Sequence, residues 1–205
     1  MFSMRRISVP KDKRIGVMVS GGWDSAVLWY LVKSACLDSG QECTPFVVPK
    51  LDGALHYSKL VVETINKLLG APVQEPIVVG KELANNPWDY VTNGAYEVFG
   101  EEYIDHLFIG MTAYSQEVHN RHENEDPHPR FEPTEEQRQY VTWPFEDMTK
   151  DETVKLGFDL GIADVIMPIT HSCTEQNKGR CGVCYWCTER KWAFEKNSYR
   201  DIGEE

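Results

Sequence analysis

The sequence predicts an α/β protein with a doubly wound, mostly parallel β-sheet and a C-terminal zinc-binding segment. Three observations favour this class. Short apolar runs alternate with longer helical patterns through most of the 205-residue chain, as they do where strands and helices follow each other in a parallel sheet. A glycine-containing turn at residues 20–25 joins the first strand pattern to the first helix pattern. Four cysteines lie together near the C-terminus, between Cys173 and Cys187.

Strands are predicted where apolar, β-branched residues form short runs. These runs are residues 14–19, 45–48, 75–79, 107–109 and 141–143. Helices are predicted where apolar residues recur with helical spacing or form a longer buried run. These segments are residues 24–37, 55–69, 95–104 and 149–160. Gly70 and Gly161 are expected to end two of the helices, and Thr149 with Glu152 forms a capping box at the start of the last one. Because a helix separates most successive strands, we expect parallel pairing with helices on both faces of the sheet.

Two segments depart from this alternation. Residues 111–140 form a long polar stretch, which we interpret as a mobile lid or a partly disordered loop. The stretch contains His119, His122 and His128 among several acidic residues, but their spacing is not diagnostic of a metal site. The second segment begins at Pro168 and carries the cysteine cluster.

Charge and composition exclude several classes of function. The formal net charge is -11 and the pI is about 5.0, which disfavours non-specific binding of nucleic acids because such binding needs basic surface. No apolar run is long enough to span a membrane, and the N-terminus lacks the apolar stretch of a secretory signal. We therefore expect a cytoplasmic protein with reduced cysteines and without a nucleic-acid or membrane partner.

The glycine turn predicts an anion site. A sharp strand-to-helix turn leaves the first N–H groups of the helix without partners, and the helix dipole attracts an anion to them. Gly21 and Gly22 let the backbone approach a ligand, while Ser20 and Ser25 add hydroxyl donors. Asp24 can cap the helix or hold a metal ion that accompanies a phosphate. A plain turn capped by Asp24 is the simpler alternative, but it does not need both serines. The motifs of a Walker P-loop and of a dinucleotide-binding fold are absent.

The cysteine cluster predicts a structural metal site. Seven residues separate Cys173 from Cys181, and two residues separate each later pair, up to Cys184 and Cys187. Four thiolates at such spacings can close a tetrahedral zinc site, and four protein ligands leave no open position for catalysis. An iron–sulfur cluster also uses four cysteines and stays open as an alternative.

The order Ser-Gly-Gly-x-Asp-Ser after a first strand resembles the signature of the PP-loop ATP pyrophosphatases. The match covers Ser20, Gly21, Gly22, Asp24 and Ser25. The resemblance implies a fold like that of the adenine nucleotide alpha-hydrolases. It also implies that the loop holds ATP by its β- and γ-phosphates, with Mg²⁺ bridging them, and that cleavage falls between the α- and β-phosphates.

A second segment, residues 149–157, resembles the lysine-containing helix found late in many PP-loop enzymes. The resemblance implies that Lys150 reaches the nucleotide phosphates from the start of this helix. A positive charge there would stabilise departing pyrophosphate. The predicted catalytic residues are therefore Lys150 and Asp24, and the alternative is an ordinary solvated lysine at a helix start.

The glycine turn and the cysteine pattern together resemble the 7-cyano-7-deazaguanine synthases of queuosine and archaeosine biosynthesis. The resemblance implies a nucleotide-binding domain at residues 1–167 and a zinc-binding segment at 168–205 packed on the same domain. It implies a ligase that converts 7-carboxy-7-deazaguanine and ammonia to the nitrile through adenylated intermediates, with ATP, Mg²⁺ and Zn²⁺. It also implies a helix that starts near Thr188-Glu189-Arg190, and a homodimer is an open expectation because members of the family often dimerise.

Two stretches differ from the family pattern where the substrate is expected. Residues 83–94 lack an arginine–asparagine pair, and residues 112–119 lack an acidic run. Trp88, Tyr114 and Trp143 are predicted near the carboxyl edge of the sheet, where ligands of such sheets bind. These three side chains are the candidates for stacking on a base.

Two alternative functions stay open. Another PP-loop enzyme that amidates or thiolates a different carboxylate or carbonyl would share the loop. A thiolating enzyme is expected to use a catalytic cysteine pair, but neither Cys36 nor Cys43 lies at the carboxyl end of a predicted strand. A non-catalytic, zinc-stapled module would bind ATP without releasing pyrophosphate.

Overall fold

A five-stranded parallel sheet forms the centre of the computed structural model, which describes residues 7–49, 53–80, 97–99, 103–119 and 134–203. The strands are β1 (Ile15–Met18), β2 (Cys43–Val47), β3 (Ile77–Val78), β4 (His106–Ile109) and β5 (Val141–Thr142). Their order across the sheet is β3-β2-β1-β4-β5, and every pairing is parallel. The predicted fold class is therefore confirmed.

The helices pack around this sheet. They are α1 (Trp23–Ser39), α2 (Ala54–Leu68), α3 (Gln116–His119), α4 (Glu135–Tyr140), α5 (Lys150–Asp159), α6 (Ala163–Ile166) and α7 (Tyr185–Lys196), with a 3₁₀ turn at Met167–Ile169. Residues 97–99, within the predicted helix 95–104, are also helical. The other predicted strands and helices begin and end within about two residues of the observed bounds. None of the described helices is long and apolar enough to cross a membrane.

Apolar side chains cover both faces of the sheet. Successive residues of a strand point to opposite faces, so Val17 and Val19 lie in one core group and Met18 lies in the other. The first group contains the buried sides of α1, α2, α5 and α7. The second group contains Val98, from the helical residues 97–99. Helical residues on both faces of a parallel sheet define the doubly wound architecture.

The order of the strands changes direction between β1 and β4. From β1 the chain proceeds outward through β2 and β3, and it then returns to place β4 on the other side of β1. The carboxyl ends of β1 and β4 thus lie side by side. Ligands of open parallel sheets bind at such a point. Residues 19–25 and 110–115, which follow these two strands, therefore line the natural binding crevice of the fold.

The two ends of the polar stretch 111–140 are folded. Val118, in α3, is fully buried in the first core group. At the other end, Thr134 caps α4 because its hydroxyl accepts the Gln137 N–H at 3.2 Å while the Gln137 side chain accepts the Thr134 N–H at 2.8 Å. The segment that we interpret as a mobile lid or a partly disordered loop therefore has a short helix at each end. Residues 120–133, including two of the histidines, lie outside the described residues.

Candidate functional site

The glycine turn follows β1 directly and opens α1. Gly22 is the N-cap residue, with extended backbone angles, and the first helical hydrogen bond runs from the Ala26 N–H to the Gly22 carbonyl at 3.0 Å. The N–H groups of the preceding helical residues have no acceptor within the helix. Ser20 and Ser25 face each other across the turn, with their hydroxyl oxygens 3.2 Å apart. The turn therefore collects helix N–H groups and two hydroxyls at the crevice, which suits a phosphate.

Gly21 fits the turn for two independent reasons. Its φ of 82° lies in the left-handed region that favours glycine. A Cβ at this position would lie 2.4 Å from the Tyr57 Cβ and 2.8 Å from the Ser58 backbone nitrogen, both in α2. The turn is thus pressed against the start of α2, and any side chain here would push the two apart.

Replacing Gly21 with alanine is expected to lower the free energy of unfolding by about 3 kcal/mol, because backbone strain and the clash with α2 add. ATP binding should weaken as well, since the turn must shift. Gly40 is the matched control because its φ is 69° but a Cβ added there would meet no atom within 4 Å. Gly40→Ala should cost only about 1 kcal/mol. Urea unfolding and ATP calorimetry measure both effects, and equal losses in the two variants would contradict the tight contact.

His171 ties the C-terminal segment to the glycine turn. Its backbone N–H donates to the Gly21 carbonyl at 2.9 Å. Its ring stacks on Tyr57 with centroids 4.5 Å apart and an interplanar angle of 7°. The ring Nε2 lies 2.8 Å from the Gln176 carbonyl, within the loop between the first two clustered cysteines. The turn, α2 and the cysteine segment therefore meet at one histidine.

Lys150 is buried at the start of α5 and points to the glycine turn. Its ammonium forms an ion pair with the Asp24 carboxylate, although the two residues are far apart in sequence. Thr153, one turn along α5, donates from its hydroxyl to the other Asp24 oxygen at 2.7 Å. The Trp23 indole N–H donates to the Thr153 carbonyl at 3.0 Å. These contacts fix α5 against α1, and they exclude the alternative that Lys150 is a solvated lysine.

Glu189 is a second buried acid beside Lys150 that sequence reasoning did not single out. Its Oε2 lies 3.8 Å from the Lys150 Nζ, and its Oε1 accepts a hydrogen bond from the Tyr185 hydroxyl at 3.1 Å. Only 1% of the Glu189 surface is exposed. The available signal was the spacing of Tyr185 and Glu189, which puts both on one face of a helix together with the apolar Trp192.

The charges of this cluster shift each other's pKa. Burial alone would lower the pKa of Lys150, but the adjacent Asp24 and Glu189 carboxylates outweigh burial and raise it above its ordinary value. Burial raises the pKa of Glu189, against the opposing effect of the Lys150 ammonium. Lys150 therefore stays positively charged at neutral pH.

The residues at the turn also fit a magnesium ion. The Asp24 carboxylate lies at the first turn of α1, and its side chain keeps 14% of its surface exposed. Carboxylate oxygen is the kind of ligand that Mg²⁺ prefers, and Mg²⁺ usually binds through one or two carboxylates plus the phosphates of a nucleotide. Asp24 would have to release Lys150 in order to offer that oxygen to the metal.

The four clustered cysteines converge as predicted. The sulfur atoms of Cys173, Cys181, Cys184 and Cys187 all lie within 4.8 Å of one another. The Cys181 and Cys187 sulfurs are 3.9 Å apart, close to the separation of about 3.8 Å that Zn–S bonds of about 2.3 Å give in a tetrahedron. Backbone N–H groups of Cys184 and Val183 lower the pKa of the Cys181 thiol to about 7. The donor set therefore fits one tetrahedral metal ion.

Helix α7 begins earlier than the family resemblance implies. The expected start is near Thr188, whereas the observed helix begins at Tyr185 with Cys184 as its N-cap. The backbone N–H of Cys184 donates to the Cys181 sulfur at 3.2 Å. The turn between these cysteines therefore leads directly into the helix, and Cys187 lies in the first turn of α7.

Metal content is expected to depend on the cluster alone. The purified protein should contain about one zinc ion per chain, and Cys173→Ser should lose it. Cys36→Ser is the matched control, because Cys36 is also fully buried but lies in α1 away from the cluster. Elemental analysis of the three proteins makes the comparison. Iron with the visible absorbance of an iron–sulfur cluster would contradict zinc, and unchanged metal content in Cys173→Ser would contradict the site.

The three candidate base-stacking residues differ in their burial and in whether the structure describes them. Trp143 is 5% exposed and packs in the second core group, so it is not available for stacking on a ligand. Tyr114 follows β4 at the crevice and is partly exposed. Trp88 and the divergent stretch 83–94 lie outside the described residues.

The parallel sheet and the glycine turn at its switch point define the class: a doubly wound α/β fold with the architecture that the PP-loop resemblance implies. A family model described as queuosine biosynthesis protein QueC matches residues 115–198. The 7-cyano-7-deazaguanine synthase of Clostridium kluyveri is 28% identical over an alignment of 225 positions, which covers 92% of this chain and 96% of that protein. The synthase of Archaeoglobus fulgidus is 41% identical over 61 residues, or 30% of this chain and 24% of that protein. These matches confirm the resemblance to the 7-cyano-7-deazaguanine synthase family.

Two solved structures have weaker similarity. The U34-tRNA thiolase NcsA from Methanococcus maripaludis, with its [4Fe-4S] cluster, gives a TM-score of 0.47 at 18% identity over 95% of this chain and 69% of that chain. The NMN synthetase from Francisella tularensis gives a TM-score of 0.45 at 13% identity over 91% of this chain and 78% of that chain.

Proposed function

We propose that this protein uses ATP to convert 7-carboxy-7-deazaguanine and ammonia to 7-cyano-7-deazaguanine. The observation that carries the proposal is the meeting of Asp24 and Lys150 beside the glycine turn, at the switch point of the sheet. The similarity to the Clostridium kluyveri synthase extends over nearly the whole of both chains, and it supports this choice of substrate.

In the proposed reaction, the carboxylate of the base is adenylated and ammonia displaces AMP to give an amide. A second ATP adenylates the amide oxygen with release of pyrophosphate, and AMP then leaves with that oxygen as the nitrogen loses its protons, so that the net change is the dehydration of the amide to the nitrile. The N–H groups at the start of α1, with the Ser20 and Ser25 hydroxyls, hold the phosphates. Lys150 stabilises the negative charge that develops on departing pyrophosphate. Bound Mg²⁺, held through Asp24, would neutralise phosphate charge.

The cysteine cluster is proposed to hold a structural zinc ion. Four protein ligands would fill its coordination and leave no place for a reactant. The zinc would fasten segment 168–205 to the nucleotide-binding domain of residues 1–167. The hydrogen bond from His171 to Gly21 supports this role, because it joins the two segments directly at the phosphate site.

A thiolating function has less support. Cys43 is the first residue of β2, and Cys36 lies near the end of α1. Both therefore lie toward the amino edge of the parallel sheet, whereas the glycine turn lies at the carboxyl edge. A catalytic cysteine pair would have to act at the nucleotide, which these two thiols do not approach.

One assay tests the proposal. The purified protein is mixed with ATP, Mg²⁺, ammonium and 7-carboxy-7-deazaguanine, and AMP, pyrophosphate and the product mass are followed. The nitrile, formed with AMP, is the expected result. AMP formation only with another acceptor would indicate a different PP-loop enzyme. ATP binding without AMP from any acceptor would indicate a non-catalytic module.

A further inference from the structure

We propose that Glu189 is a positioning residue for Lys150, which receives the lysine ammonium when Asp24 turns to the metal ion of the bound nucleotide. The proposal rests on the proposed function only in that it assumes a magnesium–ATP site at the glycine turn. It assigns to the cysteine-bearing helix a part in nucleotide binding, besides its part in the metal site.

Lys150 lies between the buried carboxylate of Glu189 and the partly buried carboxylate of Asp24. Its ammonium contacts Asp24, and the Glu189 Oε2 is 3.8 Å away, too long for a hydrogen bond but within reach of an ion pair. The side chains of Lys150 and Glu189 are 7% and 2% exposed. A shift of the ammonium by about 1 Å would bring it to hydrogen-bond distance from Glu189. The two acids therefore offer alternative positions for one cation.

The Glu189 carboxylate is held in a position where it can accept the Lys150 ammonium. Its Oε1 is anchored by the Tyr185 hydroxyl at 3.1 Å. Its Oε2 lies 3.8 Å from the Lys150 ammonium, and the Ser115 hydroxyl is a further polar neighbour of this carboxylate. A buried carboxylate is costly unless a cation pairs with it, so the position of Glu189 beside Lys150 makes it a second acceptor for the lysine.

Asp24 can release Lys150 without losing every partner. The Thr153 hydroxyl still donates to the Asp24 Oδ1 at 2.7 Å, while the Oδ2 is the oxygen engaged by Lys150. If Asp24 turned to a metal ion and Glu189 were absent, the buried ammonium would keep no carboxylate of the protein to hold it in place beside the phosphates. Glu189 therefore makes the exchange at Asp24 possible.

The start of helix α7 determines the position of Glu189 beside Lys150. Cys184 caps the helix and Cys187 lies in its first turn, so the metal cluster fixes the position of the helix start. Glu189 follows two residues after Cys187 and points to α5 rather than to the cluster, as its contact with Lys150 shows.

The test is the dependence of ATP affinity on Mg²⁺, measured by calorimetry, in wild-type protein and Glu189→Gln. This substitution keeps the size of the side chain and an oxygen that can accept from Tyr185. The Mg²⁺ concentration at half-maximal ATP binding should rise about tenfold, while ATP affinity without metal stays unchanged. Glu189→Asp, which keeps the charge, should restore part of the Mg²⁺ response. Glu195→Gln on the same helix is the control, because Glu195 is 65% exposed and pairs only loosely with Lys191.

A merely structural Glu189 would lower the thermal stability of the variant and leave its Mg²⁺ response at the wild-type value, and that result would overturn the proposal. If Glu189→Gln does not fold, Tyr185→Phe loosens Glu189 without removing its charge. It should shift the Mg²⁺ response in the same direction by about threefold, and no shift would again overturn the proposal. A wild-type protein that binds magnesium–ATP but makes no nitrile would refute the proposed function alone, since the calorimetric test does not use the base.

Discussion

Replacing Lys150 with methionine is expected to reduce AMP formation by about 100- to 1,000-fold, because a preorganised positive charge would no longer face the departing pyrophosphate. The same change leaves Asp24 and Glu189 buried without their shared cation. The free energy of unfolding should therefore also fall by about 3 kcal/mol. Single-turnover AMP release, measured at a temperature where the variant is fully folded, separates the two effects.

Two further variants sharpen this test. Lys150→Arg keeps the charge but changes its shape and reach, so it should regain most of the stability and only part of the rate. Lys155→Met is the control on the same helix, because Lys155 is 46% exposed and pairs with Asp159 at the surface. Its effect on stability should stay below about 0.5 kcal/mol, with unchanged rate. A Lys150→Met variant with the wild-type rate would show that the lysine has no part in the chemistry.

The features that sequence reasoning predicted best depend on local signals. The turn at Ser20–Gly22 joins a strand to a helix, and serine and glycine are residue types that favour such a turn. The cysteines cluster in sequence as well as in space. Gly70 and Gly161 predict where α2 and α5 end. Thr149 and Glu152 predict where α5 begins, and in the structure the Glu152 carboxylate accepts the Thr149 N–H at 2.8 Å.

The start of β2 shows why strand ends are harder to predict. The sequence predicts this start at Pro45, where the short apolar run begins. The observed strand starts at Cys43 and runs through Pro45, which is in register with Val17 of β1. Pairing with β3 begins only at Phe46. At the level of Pro45, β2 is therefore an edge strand, where a missing N–H is tolerated.

The charge cluster could be predicted only in part. Lys150 could be predicted as a site residue from its position at the start of a helix. Its pairing with Asp24 could not, because that contact joins segments that are 126 residues apart. The helical spacing of Glu189 with Tyr185 and Trp192 is only a weak signal that this acid is buried, because its burial depends on how α7 packs against α5. Long-range packing therefore decides the electrostatics of the site, even where the sequence reveals its chemical type.

Replacing Arg190 with methionine is expected to lower the free energy of unfolding by about 3–5 kcal/mol, because it breaks a buried ion pair and leaves acceptors unpaired. Arg190 is 1% exposed. Its guanidinium donates to the Thr170 carbonyl at 2.8 Å, to the Met167 carbonyl at 3.2 Å and to both oxygens of Asp201. One side chain thus ties α7 to the turn after α6 and to the C-terminal residues. Urea unfolding of both proteins measures the loss.

The neighbouring Arg180 provides the matched control. It pairs with the same Asp201 at 2.7 Å with 22% of its side chain exposed, and Asp201 keeps Arg190 as its partner when Arg180 is replaced, so Arg180→Met should cost clearly less than Arg190→Met. Arg190→Lys should remain clearly less stable than the wild type, since a single ammonium cannot reach three separated acceptors in the fixed geometry of a guanidinium. If Arg190→Met and Arg180→Met lose equal stability, the contribution comes from the charge of Asp201 alone. A larger loss of stability in Arg190→Met would instead assign the difference to the hydrogen bonds that Arg190 donates to the Met167 and Thr170 carbonyls. Those hydrogen bonds, together with the ion pair to Asp201, would then hold the C-terminal residues in place.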